Sequence, residues 1–209
     1  MLIFEQLVGR GFMVLDPSRK VLIFNREVVG KFPAIRKAKM EEFKWLVGEW
    51  SAENRVQATP TTPTYTDTYL YTYQLCAGDT RISITGPGGN PRPYLTFDPF
   101  SGRWMMTFVD GLYGVLQSGG WQDHFVVFAG RLTMLGIDCE LRQTMTRRGS
   151  DEFHIRNEEK LPDTRWHVVD EFYSRGSEAD SPEFVLRLVS TGLRMMKTLF
   201  CVSAAQLLG

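Results

Sequence analysis

The feature that most constrains the fold is an unbroken succession of strand-like segments between residues 49 and 174. The segments are rich in Tyr, Thr, Val, Phe and Trp, and clusters of turn-forming residues separate them. This pattern is typical of β-strands. The ten predicted strands cover residues 49–58, 65–76, 80–85, 94–97, 103–110, 113–118, 124–132, 138–147, 152–161 and 164–174.

The connections between these segments are short, as at residues 77–79, 98–102 and 148–151. Parallel strands need crossovers of about a dozen or more residues, so consecutive strands should be antiparallel neighbours. Ten strands approach the limit of about ten for an open twisted sheet, and closure removes both unpaired edges. We therefore predict an all-β fold, an up-and-down antiparallel β-barrel of about ten strands. A sandwich with Greek-key connections is the structural alternative.

Other elements are expected on both sides of the barrel. Residues 12–15 and 21–24 predict a hairpin, and Pro33 opens a predicted helix that ends at Gly48. After Ser181 the chain is largely apolar, which predicts an amphipathic C-terminal helix. We expect a single domain overall, with a hairpin and helix (1–48), the barrel (49–176) and the C-terminal helix (177–209).

Composition limits the partners of the protein. Basic and acidic side chains number 24 each, giving a formal net charge of zero, and no basic run is longer than two residues. This predicts no binding to nucleic acid. The three cysteines are far apart and the N-terminus lacks the pattern of a signal peptide, so we expect a cytoplasmic protein. No spanning segment is expected.

The C-terminal helix is too apolar to remain in water alone. We expect it to dock on the barrel or on a second subunit, which would make a homodimer. An interfacial membrane helix is the alternative.

The junction between the N-terminal helix and the first strand carries the sequence Gly48-Glu49-Trp50. It resembles the Gly-x-Trp opening of lipocalin-type and related calycin barrels. Residues 97–104, with the sequence FDPFSGRW, resemble a motif of an uncharacterised bacterial family of lipocalin-like proteins.

The resemblance implies a structural role for three residues. Gly48 and Trp50 would form a plug at one end of the barrel, beneath a short N-terminal helix. A basic residue from a late strand would pack over the tryptophan, and Arg175 is the first candidate, followed by Arg165.

Strand alternation predicts which side chains face the barrel interior, because residues two apart share a face. Gln143, Asn157, Glu159 and Asp170 are then polar groups among apolar neighbours. Each is either satisfied internally or lines a cavity and orients a ligand. The predicted ligand-binding residues are Tyr69, Tyr71, Trp104, Phe108, Gln143, Asn157, Glu159 and Asp170.

These features predict intracellular binding of a small apolar or amphipathic molecule in the barrel lumen. One alternative is an isomerase, cyclase or hydratase in which Glu159 or Asp170 acts as acid or base. Another is a structural module that dimerises. The histidines His124, His154 and His167 match no metal-binding pattern, so no metal site is predicted, and haem held by one imidazole is a further alternative.

Overall fold

The computed structural model describes residues 3–18, 20–56, 64–86, 91–109, 112–134, 136–160 and 166–175. The predicted C-terminal helix and Arg165 lie outside these residues. Within them, no helix is long and apolar enough to cross a membrane.

The chain begins with small elements and continues as strands. The first part contains α1 (Ile3–Gly9), β1 (Met13–Asp16), β2 (Val21–Phe24), α2 (Arg26–Val29), α3 (Phe32–Met40) and a 3-10 turn (Lys44–Leu46). The strands that follow are β3 (Gly48–Val56), β4 (Tyr65–Cys76), β5 (Arg81–Thr85), β6 (Pro91–Asp98), β7 (Arg103–Phe108), β8 (Leu112–Ser118), β9 (Trp121–Gln122), β10 (Phe125–Met134), β11 (Ile137–Arg147), β12 (Glu152–Lys160) and β13 (Trp166–Ser174).

The large sheet closes on itself. Each strand from β3 to β8 pairs antiparallel with the next, β8 pairs with β10, and the order then continues through β11 and β12 to β13. Strand β13 returns to pair with β3, which completes a barrel of ten strands. The two-residue β9 pairs with the first two residues of β10. The predicted all-β, up-and-down barrel is confirmed, and the alternative of a two-layer sandwich is wrong.

The N-terminal elements match the prediction in part. Strands β1 and β2 form the predicted hairpin, whereas α1 and α2 were not predicted. The helix from Phe32 ends at Met40 instead of continuing to Gly48, and the chain passes through the 3-10 turn. Phe43 and Leu46 are both fully buried. A 3-10 turn brings residues three apart to one side, which buries both in the end of the barrel.

Trp50 fills the end of the barrel at which β3 begins, referred to below as the closed end. Its indole Nε1 donates a hydrogen bond to the Leu46 carbonyl at 2.7 Å. The Arg175 guanidinium lies 4.2 Å from the ring centroid of Trp50 and donates to the Val47 carbonyl at 3.0 Å. A Cβ on Gly48 (φ +127°) would lie 2.6 Å from Nη1 of Arg175, so this close packing requires glycine.

Aromatic side chains fill the interior next to Trp50. The ring of Phe153 meets Trp50 edge-on at 4.7 Å and stacks on Tyr173 at 4.1 Å. On the opposite wall, Phe43 contacts Trp104 at 4.5 Å. This half of the interior is therefore a packed core with little room for a ligand.

Strands β8 and β10 approach each other closely at Gly130. A Cβ built on Gly130 would lie 2.3 Å from the Val115 carbonyl oxygen, whereas one built on the exposed Gly149 would meet nothing within 4 Å. We expect Gly130→Ala to destabilise the protein by about 1–3 kcal/mol, because the strands must separate. Gly149→Ala is the matched control and should change the free energy of unfolding by under about 0.5 kcal/mol. Urea denaturation of both variants measures the difference, and equal stabilities would contradict this description of the barrel wall.

Candidate functional site

Polar side chains occupy the inner face of the barrel beyond the aromatic layer. Asn54 on β3 pairs in register with Asp67 on β4 and with Glu171 on β13. Gln143 on β11 pairs with Asn157 on β12 in the same part of the interior. We call these five residues the polar band: Asn54, Asp67, Gln143, Asn157 and Glu171.

The amides of the band are buried, with Asn54, Gln143 and Asn157 exposed by 6%, 8% and 8%. The Nε2 atom of Gln143 donates a hydrogen bond to Oδ1 of Asn157 at 2.9 Å. Two acceptors, Oδ1 of Asn54 and Oε1 of Gln143, have no hydrogen-bond partner in the part of the chain that the structure describes. A buried acceptor without a partner costs about 1–3 kcal/mol. The arrangement therefore favours a donor from a ligand or a water molecule at these oxygens.

Glu171 places a carboxyl group deep in the same region. Burial raises its pKa from 4.5 to about 7. A hydrogen bond from the Tyr173 hydroxyl to Oε2, at 2.8 Å, partly opposes this rise, and the negative charge of Glu159 adds to it. Near neutral pH the carboxyl group is therefore divided between its protonated and ionised forms.

Glu159 and His167 lie beyond the polar band, towards the end of the barrel opposite Trp50. They are cross-strand neighbours, and Nδ1 of His167 is 3.3 Å from Oε2 of Glu159. Alternation from Asn157 and Glu171 places both side chains on the inner face. They are still 27% and 25% exposed, so the interior is accessible to solvent around them.

The predicted inner face of β13 is wrong. Tyr173 and Glu171 face inward, whereas Asp170 lies on the outer face and contacts Nε2 of His154 at 2.8 Å. Alternation of apolar and polar residues gave the wrong inner face for β13 because the outer face of this strand also carries apolar residues. The outward Phe172 stacks on His154 at 4.6 Å and lies under the Arg55 guanidinium at 4.5 Å.

This register has two consequences for the predicted acid–base residues. Asp170 is separated from the interior, so it cannot form the proposed carboxylate pair with Glu159. The neighbour of Glu159 inside the barrel is instead His167, and Glu171 lies four residues further along the same adjacent strand.

The structure places the other predicted ligand-binding residues on the inner face, in two different regions. Tyr69 is buried on β4 near the polar band, and its hydroxyl donates to Oδ2 of Asp67 at 3.2 Å. Tyr71 is half-buried next to Tyr173. Trp104 belongs to the aromatic layer of the closed end. Phe108, Gln143, Asn157 and Glu159 lie beyond it.

Sequence reasoning missed Asn54 and Glu171. Asn54 follows Trp50 and Ala52 at intervals of two residues, so alternation within β3 alone would have placed it inside. No comparable signal marks Glu171, since its strand carries aromatic residues of both parities.

A second concave region lies outside the barrel at the closed end. It has a volume of about 590 Å³ and is bordered by Trp45, Trp121 and Arg147 among other residues. The Arg147 guanidinium packs 4.7 Å from the ring centroid of Trp45. The aromatic layer separates this surface depression from the polar band, so the two regions are distinct.

Comparison with known proteins gives similarity in fold alone. No protein-family model and no curated protein matches the sequence. Rv2717c from M. tuberculosis is similar over 66% of this chain and 97% of its own, with 10% identity and a TM-score of 0.49. The S-type phycobiliprotein lyase CPES from Guillardia theta is similar over 70% of this chain and 98% of its own, with 11% identity and a TM-score of 0.46.

Glu171 generates a prediction about stability and pH. The folded state holds the Glu171 proton up to about pH 7, whereas the unfolded chain releases it near pH 4.5. Between these values the folded state binds more protons, so this group lowers stability as the pH rises, by at most about 3 kcal/mol. Glu171→Gln keeps an acceptor for Tyr173 and cannot ionise. We expect it to remove this loss, making the variant more stable than the wild type at pH 8 and similar at pH 4.5.

Urea unfolding at several pH values between 4.5 and 8 measures the effect. The control is Glu140→Gln, a substitution of an exposed glutamate on the outer face. It should retain the pH dependence of the wild type. If the curves of Glu171→Gln and the wild type run parallel, Glu171 does not titrate inside the barrel as described.

Proposed function

We propose that the protein binds a small amphipathic molecule inside the barrel, in the half opposite Trp50. The observation that carries the proposal is the pair of buried acceptors without a partner, Oδ1 of Asn54 and Oε1 of Gln143. Ligand pockets are commonly apolar with a few polar groups that fix orientation. The polar band, set among tyrosine and aliphatic side chains, has this composition.

The unpartnered atoms suggest the chemistry of the ligand. Both are acceptors, so the complementary group on the ligand is a donor such as a hydroxyl or an N–H. The apolar part of the ligand would lie against Tyr69 and Phe108, whereas Tyr71 pairs with Trp50 and belongs to the closed end. No covalent step is needed for this function.

The packing around Trp50 supports a place for the chain among calycin-like barrels. The Arg175 guanidinium covers Trp50, and Gly48 leaves room for it. The resemblance implies this arrangement. A cytoplasmic location and a lack of nucleic-acid binding belong to the same proposal, on the basis of composition.

Ligand binding can be tested on the purified full chain by native mass spectrometry, followed by thermal shift with a panel of fatty acids, retinoids, flavins and haem. We expect a bound species or a ligand-dependent rise in melting temperature. Gln143→Met conserves side-chain length but removes the unpartnered acceptor and the hydrogen bond to Asn157. It should weaken binding about tenfold or more, as expected for the loss of at least one hydrogen bond to the ligand. The control is Gln117→Met, on the exposed outer face of β8. Absence of any bound species and of any shift would contradict the proposal.

A second candidate function follows from Glu171. A carboxyl group with a pKa of about 7 can both donate and accept a proton near neutral pH, as general acid–base catalysis requires. Tyr173 holds one of its oxygens, and the negative charge of Glu159 on the neighbouring strand acts on it. The corresponding enzyme would be an isomerase, cyclase or hydratase that acts on the bound molecule.

Proton transfer can be detected without knowing the reaction. A molecule recovered from the protein is returned to it in D2O, and deuterium incorporation is followed by mass spectrometry. Incorporation that requires wild-type Glu171 and stops in Glu171→Gln would support an enzyme. A molecule that binds both proteins and gains no carbon-bound deuterium from either would leave binding as the function.

A further inference from the structure

The elements before α3 expose an unusual amount of apolar surface. We call residues 3–29, which contain α1, β1, β2 and α2, the N-terminal appendage. Of the eleven large apolar side chains exposed within the described part of the chain, seven belong to it. Monomeric soluble proteins rarely leave large contiguous apolar patches in water. The seven residues are Phe4, Val8, Val14, Leu15, Val21, Ile23 and Phe24.

The appendage is attached to the barrel through Phe100, in the turn between β6 and β7. Phe12 meets the ring of Phe100 at 4.9 Å, and Phe32 meets it at 4.6 Å. Arg10 donates a hydrogen bond to the Phe100 carbonyl at 3.2 Å. A two-stranded hairpin is marginally stable alone, and these contacts cover one side of it. The other apolar side chains need a second covering surface.

We propose that the C-terminal segment of the same chain, residues 183–208, covers the apolar surface of the N-terminal appendage. From residue 184 onward this segment has no acidic side chain, and its basic ones are Arg187, Arg194 and Lys197. In a helix, residues seven apart differ in direction by about 20° and residues ten apart by about 80°, so these three lie within one quarter of the helix surface. The opposite side would present the apolar residues Val185, Val189, Met196 and Phe200.

The position of Arg175 shows that the chain leading to this segment leaves the barrel at its closed end, where the appendage is attached. Its guanidinium packs on Trp50, so the described chain finishes at the closed end. The turn that holds the appendage is at the same end, because Trp104, next to it on β7, packs on Phe43. A further 34 residues follow Arg175, and a helix over 183–208 would be about 39 Å long. The segment can therefore reach across the closed end.

Because residues 183–208 are joined to the barrel by a short linker, they should occupy the apolar surface of the appendage in preference to a second copy of the chain. A segment joined by a short linker has an effective concentration on the order of millimolar. A second copy at micromolar concentration competes poorly with it for the same surface. The proposal is independent of ligand binding in the barrel.

Hydrogen–deuterium exchange on the full chain tests the contact from both sides. In the wild type we expect protection of residues 183–208. The double variant Val14→Glu/Ile23→Glu changes a cross-strand pair on the side of the hairpin opposite Phe24 and Phe100. It should speed exchange in that segment about tenfold or more while the amides of β11 remain protected. The control is Tyr113→Glu/Ile137→Glu, which places two charges on exposed apolar sites of the barrel and should leave 183–208 unchanged. The reciprocal variant Val189→Asp/Met196→Asp should speed exchange in β1 and β2.

Several results would overturn the proposal. The first is fast hydrogen exchange of residues 183–208 in the wild type. The second is the same exchange rate of these residues in the appendage variant and in the barrel control variant. Light scattering adds a third: a wild-type dimer that becomes a monomer in Val14→Glu/Ile23→Glu, with exchange of 183–208 unchanged, would assign the surface to a second copy. Protection that arises after addition of anionic phospholipid vesicles would assign the segment to a membrane surface.

Discussion

The pairing of β3 with β13 is the constraint on which the rest of the structure depends. It joins the first and last strands of the sheet, so all ten strands have two neighbours and no edge is left open. The packing of Arg175 on Trp50 holds the same two strands together at the closed end. Removing this pairing would separate Asn54 from Glu171 and open the interior to water.

The closed sheet encloses two different environments. Around Trp50, rings from several strands form a dry aromatic layer that stabilises the barrel by burial and edge-on packing. Beyond it, the inner face carries the polar band, and two of its acceptors have no hydrogen-bond partner within the described residues. The contrast between the two halves is the physical reason for placing function in the half opposite Trp50.

Much of the architecture follows from the sequence because short turns leave few choices. Ten segments joined by tight connections must pair consecutively, and closure is the remaining way to protect the edges. Which side chains face the interior was harder to predict, because a shift of one residue in the strand register reverses the face of every side chain. Gln143 and Asn157 were placed correctly from alternation within their own strands. Asp170 was misplaced because the outward Phe172 gave β13 an apolar residue on each face.

The features that sequence could not supply are those created by contacts between distant strands. The high pKa of Glu171 arises from burial, with a smaller contribution from the charge of Glu159, and this burial requires the closed barrel. The packing of Arg175 on Trp50 joins residues far apart in the chain. It was expected from the resemblance to calycin barrels, and no local pattern indicates it.

The central claim is that the polar band lines a space occupied by a molecule other than protein. A crystal structure of the protein at about 1.5 Å resolution, purified without added ligand and again after soaking with a binder, measures this most directly. We predict electron density for a separate donor atom within about 3.2 Å of each oxygen, Oδ1 of Asn54 and Oε1 of Gln143, from a ligand or from ordered water that a ligand displaces. Side chains of the protein filling that space and bonding both oxygens would contradict the account.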